Sequence, residues 1–349
     1  MQIVDNKAIV LRTRYPHKYT VIPKSAVVGE NDGVYEVAVR WGLDEARVLR
    51  NLGVKNVPSP INARYDWPGR YKPMEHQKET AAFLTLHRRA FVFSEPGTGK
   101  TLSALWAADY LMKLKRVRRC LVICPVSIMH SAWMGDLQNS IIHRSAIVAH
   151  HQQAMRRVEM VQGVYEFVII NYDGLDLIAP EIVKDGRFDL VIVDEANHYK
   201  NVSTKRWKAL NSVLNVNTLL WMMTGTPASQ SPLDAYGLAK LVNPSGVPKF
   251  FTAWRDTTMV KVSMFKWNPR IEAQEKVHEA LQPAIRFTKA QCLDLPPVIT
   301  ETRDVPLTAQ QKKYYNMLKT QMLVRAAGET ISAVNAATEV NKLLQISAG

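Results

Sequence analysis

A glycine-rich segment that ends in lysine and threonine is the part of this sequence best suited to chemistry. Residues 94–101 read Ser-Glu-Pro-Gly-Thr-Gly-Lys-Thr and lie between a short apolar run, 90–93, and a helical pattern, 102–114. Backbone N–H groups of such a loop and the positive end of the helix dipole bind phosphate groups. Lys100 can reach the β- and γ-phosphates, and the Thr101 hydroxyl can ligate Mg²⁺. The segment predicts a site for a nucleoside triphosphate and Mg²⁺, with a plain turn before a helix as the alternative.

Two further residues bear on the nucleotide site. Ser94 replaces the first glycine of the strict G-x-x-x-x-G-K-[ST] pattern. Gln77 lies on the predicted helix before the loop, and its amide can both donate to and accept from an adenine edge, although it could equally be a solvated helix residue. The predicted nucleotide-binding residues are Gln77, Ser94, Glu95, Pro96, Gly97, Thr98, Gly99, Lys100 and Thr101.

Two adjacent carboxylates form the second chemical centre. Asp194 and Glu195 follow the apolar run 190–193. Asp194 can hold Mg²⁺, and Glu195 can orient and deprotonate the attacking water. An acidic pair that ends a strand is common and is often only a solvated turn. We interpret this pair as catalytic because a glycine-rich loop precedes it in the chain. We predict Lys100, Asp194 and Glu195 as catalytic residues, and Thr101 and Asp194 as metal ligands.

A threonine pair forms a third centre. Thr224 and Thr226 flank Gly225 directly after the apolar run 219–223. One hydroxyl could bond the acidic pair while the other faces a nucleic acid. This arrangement would couple hydrolysis to movement.

Apolar runs alternate with amphipathic helical patterns along the middle of the chain, which predicts a parallel sheet covered on both faces. Ligands of such sheets bind at the carboxyl ends of the strands, where all three centres should collect. The fold class is therefore α/β, a P-loop NTPase with a doubly wound parallel sheet. The predicted strands are 90–93, 120–124, 146–148, 167–170, 190–193 and 219–223.

Residues 1–70 predict a small α+β module and linker. Short β-branched runs at 8–12, 19–22 and 34–41 predict strands, and 43–52 predicts a helix that ends before a glycine.

The composition indicates which partners and which cellular location to expect. The net charge is +14, so nucleic acid is the first polyanionic partner to consider. The three cysteines cannot form a disulfide framework, and no apolar run approaches the ~18 residues of a membrane span. We expect no membrane partner and a cytoplasmic location, that of the host if the protein is viral, or the nucleus if it is eukaryotic.

The motifs together resemble a superfamily-two helicase, most closely a Swi/Snf-type ATPase with a layout like that of phage members. Further matching segments are 124–133, 170–173, 198–201, 286–289, 294–297 and 305–315. The first two resemble the family's motifs Ia and Ib, which implies contact with nucleic acid. The residues predicted for nucleic-acid contact or coupling are Pro125, Ser127, Asn171, Tyr172, Thr224, Gly225 and Thr226.

The resemblance implies a RecA-like first lobe, residues 71–245, followed by a helical extension, 246–303, and the start of a second lobe, 304–349. We expect that second lobe, missing here, to be supplied by a longer chain or by a partner. Asn197 stands where the family commonly carries His or Gln. The implied function is an ATP-dependent DNA translocase or helicase-like ATPase that acts on double-stranded DNA, weakly active as this chain alone. The alternatives are a strand-separating RNA or DNA helicase and a nucleotide-dependent DNA-binding module without turnover.

Overall fold

The structure is a computed structural model of the 349-residue chain. It describes all residues except 186–187, 229, 264–265, 293–299, 303, 329–332 and 349. Contacts divide the chain into two compact units, residues 1–294 and 295–349. The segment 294–297, which resembles part of the family, lies within the undescribed residues 293–299. The predicted domain boundaries at 70, 245 and 303 stay predictions.

An antiparallel sheet of four strands begins the first unit, in the order β1-β2-β4-β3. Its elements are β1 Gln2–Val4, β2 Ala8–Thr13, α1 His17–Thr20, β3 Ser25–Asn31, β4 Val34–Arg40, α2 Leu43–Asn51 and α3 Ile61–Arg64. The predicted strand at 19–22 is wrong, because Tyr19 and Thr20 belong to α1 and the strand comes later, at β3. The alternation of β2 and β4 buries Ile9, Val37 and Val39, which pack in the same core as α2 and the main sheet.

A seven-stranded sheet forms the centre of the first unit, in the order β13-β5-β10-β9-β6-β8-β7, and all its recorded pairings are parallel. Its strands are β5 Arg89–Val92, β6 Cys120–Ile123, β7 Ala146–Val148, β8 Phe167–Ile170, β9 Leu190–Val193, β10 Leu219–Met223 and β13 Ala284–Ile285. Helices cover both faces, so the central strands are apolar on both sides. Ala90 and Val92 face one core, and Phe91 faces the other.

The helices of this unit connect the strands as the alternating pattern predicts. They are α4 Glu75–Leu86, α5 Lys100–Lys113, α6 Gly135–Ser140, α7 Ala154–Gln162, α8 Tyr172–Asp185, α9 Lys205–Val213, α10 Ala235–Val242, α11 Phe251–Thr258, α12 Ala273–Ala280 and α13 Lys289–Cys292. A small antiparallel pair, β11 Met259–Lys261 and β12 Trp267–Pro269, follows α11. Fully buried Trp106 on α5 and Trp221 on β10 fill the core between helices and sheet.

In the part of the second unit that the structure describes, the helices are α14 Ala309–Gly328 and α15 Ala333–Ala348. Gln311 of α14 donates from its amide Nε2 to the Ile346 carbonyl oxygen of α15 at 3.2 Å. Across the described part of the chain, every helix is too short or too polar to cross a membrane.

Candidate functional site

The glycine-rich loop joins β5 to α5 as the sequence predicts. Gly97 and Gly99 have φ values of +85° and +76°, a left-handed conformation in which glycine is not strained. Lys100 begins α5, and its Nζ donates to the carbonyl oxygens of Ser94 at 2.8 Å and Glu95 at 3.1 Å. Its side chain therefore lies inside the curve of the loop, where a phosphate group would also bind.

The acidic pair lies near this lysine. β5 and β9 both pair with β10, and Asp194 follows β9 at the same edge of the sheet as the loop. Burial lowers the pKa of Lys100, and the negative charges of Asp194 and Glu195 act in the opposite direction. Because the carboxyl ends of parallel strands share one edge of the sheet, Lys100, Asp194 and Glu195 all lie at that edge, and the two carboxylate charges act on the ammonium group.

Asp194 is held on both carboxylate oxygens. Trp133 Nε1 donates to Oδ2 at 3.0 Å, and the Glu195 backbone N–H donates to Oδ1 at 3.0 Å. Burial raises the pKa of Asp194, and these two hydrogen bonds oppose that rise because they favour the ionised form. Trp133 was not predicted as a site residue, and only its place in the segment that resembles motif Ia could have drawn attention to it.

The Thr224–Thr226 turn contacts the glycine-rich loop. Thr224 is fully buried, and its Oγ1 accepts a hydrogen bond from the Thr226 backbone N–H at 3.2 Å. A Cβ on Gly225 would lie 3.0 Å from Pro96 Cδ, so the two loops touch here. The hydrogen bonds recorded for Thr224 do not reach Asp194 or Glu195, and the predicted coupling bond stays a prediction.

Gln77 lies against the loop, and its amide oxygen accepts a hydrogen bond from the start of its own helix. The Met74 backbone N–H donates to Oε1 at 2.9 Å, which caps the start of α4. A Cβ added to Gly99 would overlap Nε2, so the side chain lies directly against the loop. An adenine edge would have to use the second lone pair of Oε1 together with the Nε2 hydrogens, and base recognition by Gln77 stays a prediction.

The residues predicted for nucleic-acid contact occupy two different environments. Ser127 is exposed and Pro125 half-buried at the carboxyl end of β6. Asn171 and Tyr172 are only 6% and 7% exposed. The Tyr172 hydroxyl donates to the Asp194 carbonyl oxygen at 2.7 Å, so this side chain supports the acidic pair from behind and is not presented to solvent.

A segment distant in sequence completes the loop. β13 pairs with β5, and residues 286–289 then run beside the glycine-rich loop. The Phe287 N–H donates to Ser94 Oγ at 3.1 Å, the Lys289 N–H donates to Glu95 Oε2 at 2.9 Å, and the Glu95 N–H donates to the Phe287 carbonyl oxygen at 3.0 Å. The Ser94 hydroxyl thus accepts a hydrogen bond that the glycine of the strict pattern, which has no side chain, could not accept.

A cavity of about 420 Å³ opens beside this segment. Its lining includes Met74, His76, Glu79, Arg286, Phe287 and Gln291. His76 Nε2 lies 2.8 Å from the Thr98 carbonyl oxygen, so the cavity adjoins the glycine-rich loop.

The donor set fits Mg²⁺ bound together with a nucleotide. The part of the chain that the structure describes contains no cluster of three or more His, Cys, Asp or Glu side chains that could hold a metal alone. Mg²⁺ commonly binds through one or two carboxylates and the phosphates of its substrate. Asp194 follows β9 and the half-buried Thr101 lies in the first turn of α5, so both start from the carboxyl edge of the sheet, and their role as metal ligands stays a prediction.

Comparison with known proteins decides the family. The SNF2-related domain profile matches residues 76–347. The chain belongs to the SNF2-related domain family. It is a Swi/Snf-type ATPase of helicase superfamily two, as the motifs predict.

Two relatives illustrate the range of this SNF2-related protein. It is 22% identical over 294 residues to putative protein p41 of Acyrthosiphon pisum secondary endosymbiont phage 1, covering 80% of this chain and 64% of that protein. It is 27% identical over 198 residues to the Caenorhabditis elegans homolog of SWI/SNF-related matrix-associated actin-dependent regulator of chromatin subfamily A-like protein 1, covering 56% of this chain and 28% of that protein. The chain thus spans less than two thirds of either relative.

A solved structure confirms the fold class. The Sulfolobus solfataricus SWI2/SNF2 ATPase core, in complex with dsDNA, matches 80% of this chain and 59% of its own, with a TM-score of 0.52 and 20% identity. The central sheet of the SNF2-related chain is accordingly RecA-like.

Proposed function

We propose that this chain binds Mg-ATP and hydrolyses it as the first lobe of an ATP-dependent DNA translocase or helicase-like ATPase. The observation that carries the proposal is the convergence of Lys100 with Asp194 and Glu195 at one edge of the sheet. Family membership supports ATP hydrolysis in general. The specific activity of this chain is the part that needs a test.

The residues divide the chemistry between them. The loop N–H groups and Lys100 bind the phosphates, and Lys100 exchanges its bonds to the Ser94 and Glu95 carbonyl oxygens for phosphate oxygens. Asp194 and Thr101 hold Mg²⁺, which neutralises charge on the phosphates. Glu195 orients water and accepts its proton. Thr224 and Thr226 connect this centre to the nucleic-acid side.

Double-stranded DNA is the proposed polymer partner. The net charge of +14 favours binding to a polyanion, and the Sulfolobus relative was solved with dsDNA. Exposed Ser127 and half-buried Pro125 lie at the carboxyl edge of the sheet, where they can contact the sugar-phosphate backbone of DNA. A second RecA-like lobe, in cis or in trans, would complete the DNA groove.

The test measures ATP hydrolysis with duplex DNA, single-stranded DNA, single-stranded RNA or no polymer, and compares wild type with Glu195→Gln. We expect duplex DNA to give the largest stimulation, and Glu195→Gln to bind ATP normally but to lose hydrolysis by about 10²–10⁴-fold, the usual contribution of a general base. Stimulation by single strands alone would favour a strand-separating helicase. Tight ATP and DNA binding without turnover would favour a nucleotide-dependent binding module.

A further inference from the structure

The backbone of Glu195 is in an unusual conformation. Its φ and ψ are 48° and 56°, in the left-handed region that residues with a Cβ rarely adopt. Such a conformation persists only when surrounding groups fix it, and it is frequent at functional sites. The groups that hold this turn therefore decide where the Glu195 carboxylate points.

Two hydrogen bonds hold the acidic pair by its backbone carbonyl oxygens. The Tyr172 hydroxyl donates to the carbonyl oxygen of Asp194 at 2.7 Å. The His198 backbone N–H donates to the carbonyl oxygen of Glu195 at 3.2 Å. The two supporting rings also contact each other, with centroids 4.7 Å apart.

Arg206, on α9, contacts both supports. Its guanidinium carbon lies 4.8 Å from the centroid of the Tyr172 ring, and its Nη1 lies 3.3 Å from His198 Nδ1. Nη2 donates to Asp173 Oδ1 at 3.0 Å, which ties the guanidinium to α8. One side chain thus contacts the rings of both residues that hold the acidic pair, Tyr172 through its hydroxyl and His198 through its backbone N–H.

Unused hydrogen-bonding capacity is concentrated in the same region. Among the described residues, the buried side-chain atoms without a partner are Asp176 Oδ1, Asn197 Oδ1, Tyr199 Oη and Arg206 Nε. All four belong to α8, to the turn after Glu195 or to α9. Unpaired buried polar atoms call for a specific explanation, and strain stored at a functional turn is one.

We propose that Arg206 is a positioning residue for hydrolysis. It holds Tyr172 and His198 so that the left-handed turn at Glu195 keeps the carboxylate directed toward the attacking water. Arg206 touches neither nucleotide nor water in this scheme, and it acts through Tyr172 and His198. The inference rests on the proposed ATPase function and adds a residue that the family motifs and the sequence patterns did not single out.

The first experiment compares Arg206→Gln with Lys208→Gln, an exposed residue on the same helix. DNA-stimulated hydrolysis, the KM for ATP and the Tm are measured for each. We expect Arg206→Gln to lower kcat by about tenfold, part of the 10²–10⁴-fold that a well-placed base supplies, with little change in KM. Lys208→Gln should match wild type in all three quantities.

A second variant guards against a purely structural effect. Tyr172→Phe keeps the ring that Arg206 covers but removes the hydroxyl that holds Asp194, and it should also lower kcat more than it changes KM. In a Glu195→Gln background, Arg206→Gln should cause no further loss, because both changes remove the same contribution.

Several outcomes would overturn the inference. A wild-type kcat in Arg206→Gln would do so, as would a further loss of hydrolysis in the Glu195→Gln background. A weaker ATP affinity together with a lower Tm in Arg206→Gln would also overturn it, because both would indicate a general structural effect. A wild-type chain that binds ATP but never hydrolyses it, with any of the polymers, would overturn the proposed function and this inference together.

Discussion

Lys100 donates a hydrogen bond from Nζ to the carbonyl oxygen of Ser94, at 2.8 Å. The loop thus satisfies its own lysine before any phosphate arrives, and a phosphate group must compete with that bond. It competes well, because the negative charge of a phosphate adds a Coulomb attraction to the ammonium group that a neutral carbonyl oxygen does not supply. The same arrangement pre-orients the ammonium group toward the centre of the loop.

The first prediction concerns this lysine. Lys100→Ala should weaken ATP binding by about 10- to 100-fold, since a hydrogen bond to a charged group contributes about 1.5–3 kcal/mol. Titration calorimetry with Mg-ATP measures the change. Lys55→Ala, at an exposed position outside the loop, is the control and should bind as wild type does. Unchanged affinity in Lys100→Ala would remove this lysine from the site.

The second prediction separates backbone strain from crowding in the loop. Gly99→Ala places a Cβ on Gln77 Nε2, and Gln77 is itself fixed by its bond to Met74. Gly33 has a similar φ of +70°, but a Cβ added there would have nothing within 4 Å. Both substitutions should cost about 1–2 kcal/mol for the left-handed backbone, whereas only Gly99→Ala should also abolish ATP binding. Denaturant unfolding and calorimetry on the same samples test both statements.

Periodicity and motif order predicted the central sheet and the convergence of the chemical centres. The runs at 167–170 and 190–193 are strands with those bounds, because strands buried on both faces leave an uninterrupted apolar signal. The strand predicted at 19–22 was wrong. The strand that replaces it, β3, has Val27 and Val28 adjacent and both exposed, so it shows no alternating pattern.

The contacts across the sheet edge were beyond sequence reasoning. Strand β13 has only two residues, too few for any period, and it pairs with β5 from the far end of the first unit. Ser94 and Phe287 are separated by 193 positions, so nothing local indicates that they meet. Similarly, the resemblance to motif Ib implied that Tyr172 contacts nucleic acid, and only the packed structure shows that its ring is buried.

The third prediction concerns the hydrogen bond between Ser94 and Phe287. Ser94 is 2% exposed, and its hydroxyl oxygen is the acceptor for the Phe287 N–H. Ser94→Ala should lower the free energy of unfolding by about 1 kcal/mol, because a half-buried N–H loses its partner. Ser212→Ala, which removes an exposed hydroxyl from α9, should change it by less than about 0.5 kcal/mol. Equal unfolding free energies for the two variants, measured in urea, would contradict the assigned role of Ser94.

The fourth prediction concerns a carboxylate away from the site. The Asp109 side chain is fully buried on α5. It accepts hydrogen bonds from the Tyr65 hydroxyl at 2.6 Å and Arg144 Nε at 2.6 Å, and His143 Nε2 lies 2.9 Å away. Burial alone would raise the pKa of Asp109, but these three partners outweigh it and hold the pKa below the ordinary value of 3.8. The cluster ties the N-terminal segment to the ATPase lobe.

The sign of the pH dependence follows from that depressed pKa. The ionised form is favoured in the folded state, so its contribution to stability is complete above pH 3.8 and is lost as the pH falls through the lower folded pKa. Asp109→Asn should therefore lower the free energy of unfolding by about 3 kcal/mol at pH 7, as expected when one partner of a buried ion pair is removed. The difference from wild type should shrink below pH 3.8. Asp66→Asn, at a side chain 90% exposed, is the matched control and should show neither effect. If the difference in free energy of unfolding between Asp109→Asn and wild type stayed constant from pH 7 into the acid range, the Asp109 charge would not stabilise this junction.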